Sequence, residues 1–177
     1  MRDELILVQP GLEHREELEA YKAETLAIEP LIHGDGGWDL CATVEDWLSD
    51  LAVREDEATC PPGYVPASTF LCLRVADRRL IGFVDIRHKL NDYLLNYGGH
   101  IGYSIRPDER GKGYGKRQLA LALAKCRELG LTRALVCCQA DNQRSRRVIE
   151  SQGGQFEDAR QEPGNGLALR YWFDLTT

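Results

Sequence analysis

Arg106-Pro107-Asp108-Glu109-Arg110-Gly111-Lys112-Gly113-Tyr114-Gly115-Lys116 separates a strand-like run, His100-Ile101-Gly102-Tyr103-Ser104-Ile105, from a long amphipathic pattern that starts at Leu119. Strand, glycine-rich basic loop and helix in that order describe a cradle for a phosphate. Gly111, Gly113 and Gly115 let the backbone turn tightly and bring its N–H groups to a ligand with no side chain in between. The helix behind them contributes four unpaired N–H groups and about half a positive charge at its N-terminus. An anion is expected to bind there.

Downstream of the loop, Leu119, Ala122, Leu123, Cys126 and Leu129 fall on one helical face, and Gly130 ends the pattern. Ala134-Leu135-Val136-Cys137-Cys138 is a near-continuous apolar run, which predicts a strand covered on both faces. Asp141 or Asn142 then caps a helix carrying Ser145, Val148 and Ile149 that stops at Gly153-Gly154. Phe156 to Ala159 and Ala168 to Leu175 flank Pro163-Gly164-Asn165-Gly166 and predict a closing hairpin.

Upstream, Leu5 to Val8 predicts a first strand, and Leu18, Tyr21, Thr25 and Ile28 mark a surface helix between Glu13 and Ile28. His33-Gly34-Asp35-Gly36-Gly37-Trp38 reads either as a plain connection or as a substrate loop over a cleft. Thr43 is placed to cap a second helix, with Asp46 at the capping-box position and Val44, Trp47, Leu48 and Leu51 on one face. Thr69 to Val75 and Leu80 to His88 predict a hairpin of long strands, and Asn91 to Tyr97 a loop or short helix. The central strand–loop–helix–strand unit implies parallel pairing of the fourth and fifth strands by the right-handed crossover rule.

A chain of 177 residues with 43% apolar and 28% charged residues predicts one α/β or α+β domain spanning 1–177, with a core that needs no disulfide or metal. Its net charge is −6, yet basic residues concentrate between Arg106 and Arg147. A local basic loop on an acidic protein fits a small polyanion and argues against a nucleic-acid partner, which needs an extended basic face. Arg127, Arg133 and Arg147 read as solvated surface, whereas Arg110, Lys112 and Lys116, interleaved with glycines, read as ligand contacts. The six cysteines, at 41, 60, 72, 126, 137 and 138, form no C-x-x-C and argue against zinc. No apolar run is long enough for a signal peptide or a membrane span, so a cytoplasmic protein with reduced thiols is expected.

Two nucleotide loops fail on spacing. Gly111-x-Gly113-x-Gly115 is not the Rossmann G-x-G-x-x-G, and Gly115-Lys116 runs into Arg117 where a Walker loop needs Ser or Thr. Arg110-x-x-Gly113-x-Gly115, preceded by Pro107 and an Ile-containing strand, resembles instead the acyl-CoA-binding motif of the GNAT acetyltransferase superfamily, Q/R-x-x-G-x-G/A. Asn142-x-x-Ser145 followed by Gly153-Gly154 resembles its next motif, and the order of elements agrees from Leu5 to Leu175. The pattern is most similar to the ribosomal-protein N-acetyltransferase-like branch.

The resemblance implies a mixed, mostly antiparallel sheet of about seven strands, strands four and five parallel and splayed, and helices on both faces. It implies acetyl-CoA as acyl donor, with the backbone of Tyr103, Ser104 and Ile105 pairing with the pantetheine amides. Arg110, Gly111, Lys112, Gly113, Tyr114, Gly115 and Lys116 would cradle the pyrophosphate, and Asn142 and Ser145 would lie by the pantetheine. The reaction implied is direct acetyl transfer to a primary amine of a small molecule or of a peptide or protein, without a metal, by a monomer or homodimer.

The chain departs from the family pattern at both usual catalytic positions. Many members carry Tyr seven residues after the Asn, here Ile149, and some carry Glu five residues before it, here Cys137. Those absences leave a second reading open, a catalytically weak acyl-CoA-binding module. Ser145 is the nearest remaining hydroxyl, as acid for the thiolate or as a packing group inside the helix. His100 stands where that branch has an acidic residue; it is either a base or a strand-edge histidine bonded to backbone. Asp85 and His88 are second choices for the base, and a backbone N–H near Tyr103 or Ser104 is the expected oxyanion donor. Cys137 and Cys138, on a buried strand, are expected to be inert.

Overall fold

The computed structural model describes residues 3–176, so Met1, Arg2 and Thr177, the ends of the expected 1–177 domain, lie outside them. Among the described residues, seven strands form two antiparallel sheets. The first runs β1 (Leu5–Val8), β2 (Ala67–Arg74), β3 (Leu80–Arg87), β4 (Ile101–Ile105), and the second has the order β5 (Arg133–Gln139), β7 (Leu167–Asp174), β6 (Gln155–Gln161). Among the described residues, four α-helices pack on them: α1 (Arg15–Leu26), α2 (Val44–Glu55), α3 (Tyr114–Glu128) and α4 (Gln143–Ser151).

Strand alternation sorts the core into two layers. Phe70, Val84, Ile86 and Ile101 point to one face and pack with Leu119, Ala122, Leu123 and Cys126 of α3 and with Val136 and Tyr171 of the second sheet. Leu71, Leu73 and Phe83 point to the other face and pack with Leu18 and Tyr21 of α1, Trp38, and Val44 and Trp47 of α2. The helices therefore cover both faces, as expected. Thr43 caps α2 by accepting the Asp46 N–H at 3.1 Å, and Asn142, not Asp141, caps α4.

The expected single mixed sheet is corrected to two antiparallel ones. No ladder joins β4 to β5; an isolated bridge at Gly99 and Val136 and the bond from His100 N–H to the Leu135 carbonyl (2.7 Å) link the sheets instead. Gly99 makes this contact feasible. Its φ is +70°, and a Cβ there would sit 2.5 Å from the Leu135 carbonyl oxygen. Beyond that point each strand is satisfied by its own sheet, and β4 is left with an open edge.

Candidate functional site at the open edge of β4

Arg87 N–H donates to the His100 carbonyl and Arg106 N–H to the Ile81 carbonyl, both at 2.7 Å. Antiparallel alternation then turns Gly102 and Ser104 toward β3 and leaves the N–H and C=O of Ile101 and Tyr103 on the free edge. Of the three residues expected to pair with pantetheine amides, Tyr103 therefore has the right direction. Ser104 faces β3, and the Ile105 carbonyl accepts from Arg110 Nε at 2.9 Å.

At one end of this edge lies the glycine loop. Gly111 and Gly113 have φ of +78° and +84°, the left-handed region glycine tolerates, and α3 starts at Tyr114. Its first turn, Tyr114 to Arg117, offers only Tyr114 as an apolar side chain, which is why the apolar pattern announces it only from Leu119. Gly115 serves packing: a Cβ there would stand 3.2 Å from Val148 Cγ2, so it brings α3 against α4.

The basic side chains of the loop are mostly committed elsewhere. Arg106 is buried and forks onto Glu24 (2.6 and 2.7 Å) while reaching Glu17 (2.7 Å). Arg110 holds Glu29 with two bonds (2.5 and 3.1 Å) besides the Ile105 carbonyl. Lys112 Nζ lies 2.9 Å from Glu109, a buried carboxylate also 3.3 Å from Arg74. Desolvation pushes the Glu109 carboxyl up, but Lys112 and the neighbouring arginines outweigh it and hold it below the usual carboxylate range. Arg110 is thus placed as a brace under the loop, and only Lys116 is exposed without such a tie among the described residues. Sequence reasoning missed the α1 acids that receive Arg106. Glu17 and Glu24, two helical turns apart on one face, were the available signal.

Beside the edge, the Tyr103 hydroxyl and Ser145 Oγ stand 2.7 Å apart and join β4 to α4. Burial pushes the Tyr103 phenol up to about 12, with the Ser145 bond opposing, so it stays protonated at neutral pH. Asn142 Oδ1 accepts the Ser145 N–H (3.1 Å), which fixes that turn. The Tyr103 hydroxyl was not foreseen as chemistry. Its position is set by strand alternation, and its partner by a helix whose rotation the sequence left open.

His100 has the geometry of the backbone-bonded alternative. Its Nδ1 accepts the Leu135 N–H at 2.9 Å, the ring is buried, and burial with the nearby Arg87 charge lowers its pKa to about 4. With Nδ1 occupied, the proton resides on Nε2, and no lone pair remains to act as base. This geometry supports the backbone-bonded reading of His100 rather than the base. His88 is bonded to Ser68 Oγ at 2.8 Å. Burial raises Cys137 to about 12 and Cys138 to about 11, which keeps both thiols protonated.

On the opposite face of the sheet, the His33–Trp38 loop, α2 and Tyr93 enclose a cavity of about 500 Å³. Gly34 presses onto β4, where a Cβ would meet the Gly102 carbonyl oxygen at 2.5 Å. Asp85, the β3 partner of Gly102, lines the wall; it accepts from Thr69 Oγ1 (2.9 Å) and pairs with Arg87 Nε (3.0 Å). Asp35 is buried beside it, and its carboxylate accepts the N–H groups of Gly37 (2.9 Å) and Asp39 (2.7 Å). Desolvation raises its pKa to about 7 against those two bonds, with Asp39 adding to the rise. Among the described residues, no group of three metal-ligating side chains occurs, and no helix is long and apolar enough to cross a membrane.

Residues 4–155 match the acetyltransferase (GNAT) domain family. The fold is similar to a putative ribosomal-protein-serine acetyltransferase from Vibrio cholerae, with a TM-score of 0.67, 18% identity, and 98% of this chain and 95% of that one covered. It is also similar to a spermidine N-acetyltransferase chimera from Vibrio cholerae and hSSAT (TM-score 0.67, 17% identity, 97% and 96% covered). A third likeness is to Mycobacterium smegmatis RimJ in complex with CoA-disulfide (TM-score 0.67, 20% identity, 96% and 81% covered). Among proteins of curated function, no sequence matches significantly. At these identities the neighbours show the fold, while the family match spans most of the chain: it belongs to the GNAT acetyltransferases and uses acetyl-CoA.

Proposed function

We propose that the chain moves the acetyl group of acetyl-CoA directly to a primary amine, with the donor along the open edge of β4 and the amine in the cavity behind it. The observation that carries this reading is the placement of β4. Its free Tyr103 backbone and the Tyr103–Ser145 hydroxyl pair stand between the glycine loop and the cavity that Asp85 lines. The diphosphate meets the loop N–H groups and the α3 N-terminus, and the pantetheine amides extend the sheet as a short extra strand.

In this reading the Asp85 carboxylate attracts the ammonium and takes its proton. The amine nitrogen attacks the thioester carbon, and an N–H on the β4 edge receives the developing oxyanion. The C–N bond forms, the attacking nitrogen gives its second proton to solvent, the C–S bond breaks, and the departing sulfur takes a proton from the Tyr103–Ser145 pair, which solvent restores. Products are the amide, CoA thiol and one released proton. Holding both reactants supplies much of the acceleration, since effective molarities reach about 10⁵–10⁸ M in favourable cases. That tolerates the loss of the usual Tyr and Glu at Ile149 and Cys137.

Calorimetric titration with acetyl-CoA, followed by thiol release across an amine panel, tests the reading. Binding that Gly113→Glu abolishes, with release that Asp85→Asn lowers about tenfold or more, is expected. Normal binding by Gly113→Glu would move the donor site elsewhere.

A further inference from the structure

The charges lining the cavity are Asp35, Asp85, Arg54 and Arg87, with His33 at its border. Three of these four already have partners, and of the two carboxylates Asp85 keeps lone pairs for a further donor. Asp85 and Arg87 pair with each other, and Arg87 also reaches the carbonyls of Gly98 (3.3 Å) and Gly99 (3.4 Å). Asp35 spends its carboxylate on two backbone N–H groups of its own loop.

Arg54 differs. It projects from α2 to the wall, touches the Gly36 carbonyl at 3.4 Å and lies 5.5 Å from the Tyr64 ring centroid. Among the described residues it forms no ion pair. It is only half-buried, so its stem packs against the wall while the guanidinium keeps donors to spare. A chain of contacts ties it to the reaction side: Gly36 sits against Thr69 Oγ1, which is bonded to Asp85.

We propose that Arg54 binds a carboxylate on the acceptor, so that the substrate is a small amino acid-like molecule whose ammonium meets Asp85 and whose carboxylate meets Arg54. The inference rests on the acetyl-transfer reading above and names its acceptor class. Size agrees, since about 500 Å³ suits a small molecule rather than a folded chain. Charge agrees as well. The protein carries −6, yet this cavity balances two arginines against two aspartates, and burial keeps Asp35 partly protonated at neutral pH. A polyamine would bring several ammonium groups to one available carboxylate and set one of them against Arg54.

Matched pairs of amines decide the matter: α-amino acids against their methyl esters, and an ω-amino acid against the diamine of equal length, by thiol release. The acids are expected to show kcat/KM higher by about tenfold or more, the weight of one charge-assisted bond of about 1.5–3 kcal/mol. In Arg54→Gln that acid-to-ester ratio falls about tenfold through KM, while Arg54→Lys, which keeps the charge, retains part of it. Esters or diamines turned over as well as the acids, or an unaltered ratio in Arg54→Gln, overturn the proposal. Acetyl-CoA titration of each variant separates the two levels. Intact donor binding without acid preference defeats the acceptor assignment alone, whereas loss of donor binding in the wild-type protein defeats the transfer reading itself.

Discussion

Ser145 and Tyr103 share one hydrogen bond at 2.7 Å, and a departing thiolate needs one proton. If the pair supplies it, Ser145→Ala and Tyr103→Phe should each lower kcat by about 10–100-fold, within the range of acid catalysis. Acetyl-CoA affinity, measured by calorimetry, should change little, because the diphosphate and amides are held elsewhere; a matching loss of affinity would make the pair a donor contact instead. His100 calls for the opposite pattern. Its Nδ1 satisfies the buried Leu135 N–H, so His100→Ala leaves that donor orphaned at a cost of about 1–3 kcal/mol. The thermal midpoint should fall, while kcat per folded molecule stays close to wild type. A tenfold loss of kcat at unchanged stability would restore His100 to the chemistry. Sequence offered both roles for this histidine and could not choose, because the choice depends on a backbone group 35 positions away.

At the scale of elements, the proposed diphosphate cradle rests on the start of α3 and on the acids at and just past the end of α1 beneath the loop. Arg110 reads from its motif as a phosphate ligand, but its guanidinium grips Glu29 just past the end of α1. If Arg110 braces the loop, Glu29→Ala should weaken acetyl-CoA binding in the same direction as Arg110→Ala. If Arg110 served the diphosphate directly, releasing it from Glu29 would tighten binding, and calorimetry distinguishes the two signs. Gly113→Glu attacks the cradle itself. A side chain at φ +84° costs roughly 1–2 kcal/mol, and its carboxylate competes with the diphosphate for the α3 N-terminus. The glycine spacing, the α3 stripe from Leu119 and the Thr43 and Asn142 caps were legible because local physics sets them. The pairing of β4 was not. The crossover rule anticipated a parallel β5 neighbour, and the close approach at Gly99 and Leu135, which no local pattern announces, left an open edge instead.

Across the whole molecule, two buried groups titrate against the ordinary range of their residue types. His100 is held neutral, its pKa lowered to about 4 by burial and Arg87, while the unfolded chain returns it to about 6.5. Its contribution to stability is present above about 6.5 and is lost as pH falls toward 4. Asp35 runs the other way. Burial raises it to about 7 from about 3.9, so its contribution is present at low pH and is lost as pH rises through 7. Between about pH 5 and 6.5 the unfolded state binds one more proton at His100 and one fewer at Asp35, and the slopes oppose each other. Carboxylates held low by arginines, such as Asp77 at about 2, are ionised in both states throughout that window. The wild-type thermal midpoint should therefore be nearly flat from pH 5 to 6.5. Asp35→Asn removes one slope and keeps one acceptor for the loop N–H groups; its midpoint, whatever its absolute value, should climb with pH across the window as His100 alone sets the balance. A wild-type midpoint that already climbs as steeply as that of the variant would mean that Asp35 is ionised throughout and that its two backbone bonds outweigh its burial.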